Sequence, residues 1–531
     1  MSAVETELHV SEIQGNILAG FNKDHQWFLF LRILPAAEDV TKARQWLKTT
    51  LLPLLSNTRQ VLDFNRAFRV AVVSGATRPK ARWVNVGLSA AALRRIRTPA
   101  EVEEFSDEAF KFGMAKRSEF LGDPTDRASP GNWRNWQFGG PTEKAVDIVV
   151  IVASDDPAEG LTVVNDLLAS LPAGGLELVF RQDGQTLPGA FAGHEHFGFK
   201  DGVSQPGVRG LASSAAGDFI TPRTVKSPSS GPDPRASTFG KPGQILIWPG
   251  EFILGENRQP QDPLTVANDF QDPATNFPSW AAGGSFLVIR RLRQNYAGFW
   301  GFVTRQAHEL GIDPVKFASQ LVGRWPSGAP IMRSPAAERQ DLGDDDLANN
   351  HFAFNRPTEP ILVEADPRPG GDNTYPQAPS DFLGEVCPRF AHIRKVNPRD
   401  GATDLGVAQD TLSRAILRRG IPYGPSVLGI ASPTPEQLAA DRGLIFACYQ
   451  ASIVNQFETI IRRWANTPNQ PTPGGHDPII GQTELPDGNR RRFIDLASGQ
   501  RCFLAGEWIT PTGGEYFFAP SLEAIRVDLG E

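Results

Sequence analysis

The stretch Ile148-Val149-Val150-Ile151-Val152 decides the fold class. Five consecutive β-branched residues suit a central strand, because side chains stiff at χ1 pack well on a pleated surface. Leu161, Val164, Leu167, Leu168 and Leu171 follow at helical spacing, and Leu176 to Phe180 reads as the next strand. Working back towards the N-terminus, Trp27-Phe28-Leu29-Phe30-Leu31-Arg32-Ile33-Leu34 is a strand and Val40 to Leu47 an amphipathic stretch. Phe68-Arg69-Val70-Ala71-Val72-Val73 reads as a second strand and Trp83 to Leu88 as a third. Ser89 is then placed to cap a helix running through Leu93 and Ile96.

The order recurs further along. Ile245-Leu246-Ile247-Trp248 and Phe286-Leu287-Val288-Ile289 read as strands, and a helical pattern runs on to about Leu310. Leu444 to Tyr449 is a strand, after which Ile453, Phe457, Ile460 and Ile461 share one helix face. Two strand-helix-strand sets predict two similar α+β units, each a sheet with helices on one face. The duplication rests on pattern alone, since no residue-level repeat accompanies it. The Ser-, Gly- and Pro-rich piece from Leu211 to Gly243 reads as a linker or long loop. The polar stretch from Pro335 to Pro379 reads as an insertion bordering a site.

Bulk properties narrow the function classes. At 531 residues the chain exceeds one ordinary core. With 40% hydrophobic and 21% charged residues it has the make-up of a soluble globular protein. A net charge of -7 argues against a surface that tracks nucleic-acid phosphates. The three cysteines, Cys387, Cys448 and Cys502, form neither a CxxC pair nor a disulfide framework, which fits a reducing compartment. The start, Met1-Ser2-Ala3-Val4-Glu5-Thr6-Glu7, lacks the basic and apolar parts of a signal peptide, and no apolar run approaches the roughly 20 residues that span a bilayer. The expected location is cytoplasmic, without nucleic-acid or membrane partners. Oligomeric state is left open.

Three separated segments carry the chemistry. Glu195-His196-Phe197-Gly198-Phe199-Lys200-Asp201-Gly202-Val203-Ser204-Gln205-Pro206 supplies an acid between glycines. Cys387-Pro388-Arg389-Phe390-Ala391-His392-Ile393-Arg394-Lys395 supplies a histidine, and Ile416-Leu417-Arg418-Arg419-Gly420-Ile421-Pro422-Tyr423-Gly424 an arginine. An axial ligand, a proton shuttle and a cation are what a haem peroxidase needs. As a set these segments resemble the DyP-type (dye-decolourising) peroxidase family. Glu12 to Phe21 resembles the start of such a chain without its leader, and Gly284 to Arg290 a family strand, so the likeness runs from about residue 10 to 465.

The resemblance implies two ferredoxin-like domains, an N-terminal one over 1–215 carrying the acid and a C-terminal one over 243–531, with 216–242 between them. Haem b would lie between sheet and helices of the second. His392 would be the axial ligand of the haem iron, Asp201 the distal acid that moves a peroxide proton, and Arg418, rather than its neighbour Arg419, the distal cation. Gly198 and Gly202 would let the backbone approach the flat cofactor, and Arg394 and Arg399 would pair with its propionates. Glu458, on the helix after the Leu444 strand, is the candidate acceptor for the second nitrogen of His392. The implied activity is reduction of hydrogen peroxide and oxidation of dyes and phenols through a ferryl haem. Electrons from such bulky donors would enter by surface aromatics, Tyr375 among the candidates.

Other readings compete. A haem carrier or iron-releasing protein would also need His392 but not Asp201 and Arg418. Cys387 is a rival thiolate ligand, although its flanks lack the glycine pattern of a cytochrome P450. His194-x-His196 beside Asp201 has the residue types of a non-haem metal site. Gly323-Arg324-Trp325-Pro326-Ser327-Gly328-Ala329-Pro330 lacks the Gly-Lys-Ser/Thr of a nucleotide loop and reads as structural.

Overall fold

The β-branched run lies within Ile148–Ser154, a strand buried along its whole length. In the computed structural model, which describes residues 5–226, 234–260, 270–358, 362–363, 378–404, 406, 408–482, 491–504 and 506–530, it belongs to a nine-stranded antiparallel sheet. The first half of the chain contributes β1 (His25–Ile33), β2 (Arg82–Ser89), β3 (Ile148–Ser154) and β4 (Leu176–Gln185). The second contributes β5 (Ser285–Gln294), the short β6 (Leu417–Arg418) and β7 (Ile421–Tyr423), β8 (Gly443–Gln450) and β9 (Ile509–Ala519).

Strand order is β6-β8-β5-β9-β2-β3-β1-β4, with β7 also paired to β8. Counting β6 and β7 as one position, each half therefore sets its strands in the spatial order second, third, first, fourth. With the helix Pro157–Ser170 between β3 and β4, and the π-type helix Ile453–Ala465 between β8 and β9, each half is a ferredoxin-like βαββαβ unit. The halves join where β9 meets β2, Phe517 opposite Ser89 and Phe518 opposite Leu88. At the far end β7 comes up against β4, so close that a Cβ on Gly184 would sit 2.5 Å from Ile421. The sheet thus curls until its two edges cover each other, and exposed edge backbone is avoided.

Alternation along the strands divides the core. Trp27, Leu29 and Leu31 pack with Val150 and Val152 under the helices, whereas Phe28, Phe30, Val149 and Ile151 point to the other face. Pairing of Trp27 with Val152 and Phe30 with Val149 keeps each set together, since a slip of one residue would exchange the faces.

Two strand expectations are corrected. Phe68 to Val73 is the end of the helix Thr58–Ser74, which is fixed by a capping box between Asn57 and Gln60 and a left-handed Gly75 at φ 69°. Its valines face solvent, Val73 being 88% exposed, so local β propensity yields to capping and amphipathicity. Of Ile245 to Trp248, only Leu246–Ile247 forms a strand, paired with Gly207–Val208 outside the main sheet; Pro249 follows at once and opens a helical turn. Ser89 caps its helix as expected, accepting from the Ala92 amide. Tyr375 lies outside the described residues.

Candidate active site

Period-two alternation in the second half also builds a cavity. Leu287, Ile289, Ile445 and Ala447 fill the apolar core, while Arg290, Leu292 and Gln294 on β5 and Leu444 and Phe446 on β8 turn the other way. That second face, the helix Ile453–Ala465 and the short helix His392–Val396 enclose a cavity of about 310 Å³.

His392 opens its helix after a turn in which the Ala391 amide donates to Pro388. Lys395 ties the helix down by donating to the Thr467 carbonyl at 2.7 Å. The His392 Nδ1 is 2.8 Å from Asp477 Oδ2, which leaves Nε2 at the cavity wall without a protein partner among the described residues. The other oxygen of Asp477 accepts from the amides of Ile479 and Ile480 at 2.8 and 3.0 Å. Burial alone would raise the Asp477 carboxyl, but His392 and those amides hold it below its ordinary value. Desolvation likewise opposes charge on His392, yet Asp477 outweighs it and raises the imidazole above its usual range.

Asp477 was not legible as this partner, and the expectation of Glu458 is corrected. Both oxygens of Glu458 are taken by Arg117, at 2.6 Å on one arm and 2.5 Å on the other, and Tyr516 donates to it at 3.0 Å. The helix turns Phe457 into the cavity and Glu458 away from it.

Asp201 and Arg418 meet from distant parts of the chain. Arg418 donates to Asp201 Oδ1 at 2.8 Å and to the Ser204 carbonyl at 2.9 Å, and the Gly202 amide donates to the same Asp201 oxygen at 2.7 Å. Burial would raise the Asp201 carboxyl, but the Arg418 charge, with the Gly202 and Arg418 hydrogen bonds, brings it below the ordinary range. Arg419 instead clamps the N-terminal segment through the carbonyls of Asn16 and Ile17. Gly202 borders the cavity at φ 74° with open space where a Cβ would stand; Gly198, at φ 97°, packs towards Leu428 and does not line it.

Several further cations line the cavity, Arg324 and Arg399 among them. Arg399 donates to the carbonyls of Asn350 and Phe352, and Arg324 to those of Gly328 and Asn349. Neither has a carboxylate within ion-pair distance among the described residues. Desolvation, with the neighbouring Arg399 and Arg418, pushes Arg324 down to about 9, and desolvation takes Arg399 to about 10. Arg324 was read as structural; only the fold reveals that it lines the cavity. Arg394, expected with Arg399 at the haem propionates, is corrected: it is buried against Asp381 at 3.0 Å and the Cys387 carbonyl, off the cavity.

The rival metal readings find no support here. Cys387 is fully buried away from the cavity, and burial pushes its thiol up to about 12. His196 is buried on the Tyr423 carbonyl, His194 contacts Ala192, and the described residues hold no cluster of three metal-ligating side chains.

These features suit haem. A braced imidazole offers one nitrogen, two guanidiniums without carboxylate partners await an acid-bearing ligand, and Leu292, Ile393, Val396, Phe446, Phe457 and Ile460 form apolar walls. With an acid–guanidinium pair on the same cavity, the class defined is a haem peroxidase.

Known proteins agree. Residues 12–185 match the family model described as the DyP dimeric alpha+beta barrel domain, and residues 256–472 the Dyp-type peroxidase C-terminal model. Dye-decolorizing peroxidase msp1 of Mycetinis scorodonius is 32% identical over 98% of this chain and 88% of its own length. Multifunctional dye peroxidase DyP2 of Amycolatopsis is 27% identical over 98% and 96%. The crystal structure of the fungal DyP-type peroxidase from Auricularia auricula-judae superposes with a TM-score of 0.70 at 27% identity, covering 99% of this chain and 100% of that one. The chain belongs to the DyP-type peroxidase family.

Proposed function

We propose that this enzyme binds haem b, reduces hydrogen peroxide and oxidises bulky aromatic donors such as dyes and phenols. The observation that carries the reading is one cavity shared by the His392–Asp477 pair and the Asp201–Arg418 pair. A related dye-decolorizing peroxidase has been solved in complex with 2,6-dimethoxyphenol, which supports the donor class.

Haem, when bound, supplies the iron at which peroxide is cleaved and its oxidising equivalents are held. His392 would hold the iron through Nε2, and Asp477 fixes the ring and makes it a stronger donor. Asp201, ionised beside Arg418, takes a proton from peroxide and returns it to the departing oxygen. Positioned proton transfer of this kind contributes about 10²- to 10⁴-fold. Arg418 stabilises negative charge growing on that oxygen. Arg324 and Arg399 would receive the haem carboxylates, whose geometry a guanidinium matches.

Bulky donors do not need to enter. Phe199 lines the cavity, its ring stacks with Trp300 at 6.5 Å, and Trp300 lies 6.5 Å from Tyr296; both of these outer rings are partly exposed. Trp300→Phe is expected to lower turnover of a bulky dye while leaving the peroxide reaction intact; equal dye turnover would reject this route. The three unpaired, buried cysteines support a cytoplasmic location, and no helix among the described residues is long and apolar enough to cross a membrane.

A haem-carrier reading is weaker, since the Yersinia deferrochelatases match only 35% of this chain. The deciding experiment is the visible spectrum of the haem-loaded protein before and after one equivalent of hydrogen peroxide. Prompt, stoichiometric conversion of a high-spin ferric Soret band supports the peroxidase; a band that only bleaches refutes it.

A further inference from the structure

Residues 193–201 close on themselves. The Asp201 amide donates to the Gly193 carbonyl at 2.9 Å, His194 and Lys200 form an antiparallel bridge, and the Gly198 amide donates to the Glu195 carbonyl at 2.9 Å. The inside of this loop is filled by the Glu195 side chain. Its Oε1 accepts from the Phe199 amide at 2.9 Å, and its Oε2 accepts from the Phe197 amide at 2.8 Å and from Gln294 Nε2 at 2.5 Å. Gln294 belongs to β5, which is paired on both sides within the sheet.

The carboxylate therefore bolts the loop's own amides to a rigid strand. Removing it would leave the two inward amides of Phe197 and Phe199 without acceptors. Holding Glu195 here has its own cost: desolvation pushes its carboxyl up to about 7, against the pull of the Phe197 and Phe199 amides and Gln294. Nothing in the peroxide chemistry described above uses Glu195. Its distinction is that Asp201, at the base of the same loop, must stay aligned with Arg418.

We infer that Glu195 is a positioning residue for Asp201, locking loop 193–201 onto β5 so that the acid keeps its place beside Arg418. The inference rests on Asp201 being the proton carrier. In the haem-loaded enzyme, Glu195→Gln keeps the shape but turns an amide NH₂ towards donors. It should slow the reaction with peroxide about 10- to 100-fold, the usual range for a misplaced catalytic group. Amide hydrogen exchange in a peptide spanning 193–201 should quicken in both the haem-free and the haem-loaded protein.

The discriminating step is to repeat Glu195→Gln on an Asp201→Asn background. A residue that acts only through Asp201 should then change the rate by about twofold at most. An equal loss on both backgrounds, or no loss on either, overturns the inference. If Asp201→Asn itself is harmless, the reading of Asp201 fails first and takes the inference with it. Should Glu195→Gln not fold, Gln294→Ala cuts only the tie to β5. It should give a smaller, several-fold loss that again vanishes on the Asp201→Asn background, and persistence there would overturn the proposal.

Discussion

The cavity holds two carboxylates, each hydrogen-bonded to a nitrogen base, that look alike on paper and differ in burial. Asp477 is completely buried and its second oxygen is fixed by two backbone amides, whereas the Asp201 side chain is 38% exposed and its Arg418 partner 29%. A carboxylate locked by amides holds its neighbour still, while one open to the cavity can exchange a proton with what enters. Burial, more than residue type, separates the anchoring pair from the reacting pair.

Changes at the reacting pair should break that comparison most severely. Asp201→Asn removes the base and should slow the peroxide step about 10²- to 10⁴-fold with haem binding intact, as stopped-flow spectra would show. A loss of haem instead would mean that the Asp201 side anchors too. Arg418→Leu should cost on the order of 10²- to 10³-fold and also move the pH profile. Asp201 works only while ionised, so its activity is lost as pH falls through its pKa. With Arg418 gone, burial is opposed chiefly by the Gly202 amide, the pKa rises, and the acid limb shifts to higher pH. An unmoved limb would show that another group sets it.

At the anchoring pair the expected effect is smaller and of another kind. Asp477→Asn should cost about 10- to 100-fold in iron affinity or activity and shift the haem reduction potential positive, because a neutral acceptor leaves the imidazole a poorer donor to ferric iron. Potentiometric titration would read this directly. An unchanged potential would mean that the hydrogen bond only orients the ring.

What the sequence revealed follows the same division between local and distant order. Asp201, its glycine neighbours and His392 stand in contiguous segments whose turns are encoded on the spot, so their residue types announced themselves. The Asp477 partner comes from 85 residues beyond His392, in the turn Gly474-Gly475-His476-Asp477-Pro478, and only an Asp capping two following amides marked it. Arg324 gave no sign that it would face the cavity, because its neighbours there, Arg399 and Arg418, are brought together by folding. Strands β5 and β8 were legible from apolar runs, yet which side of each faced a cavity was not, since both faces are buried.

Glu458 provides the finest test, because the sequence offered it as a candidate for the hydrogen bond that Asp477 makes to His392. It lies on the helix that walls the cavity, is 1% exposed, and carries the right charge. Its geometry serves stability: Arg117 grips it with two hydrogen bonds and Tyr516 adds a third. Glu458→Gln leaves the Arg117 guanidinium without its counter-charge, and breaking a buried pair in this way typically costs about 3–5 kcal/mol, less here because Arg117 keeps 16% of its side chain in solvent. The expected result is a lower Tm with the haem spectrum, reduction potential and peroxide rate unaltered. A shifted potential would instead show that charge reaches the iron from behind the wall, and that the division between the two carboxylates is less sharp than their hydrogen bonds make it.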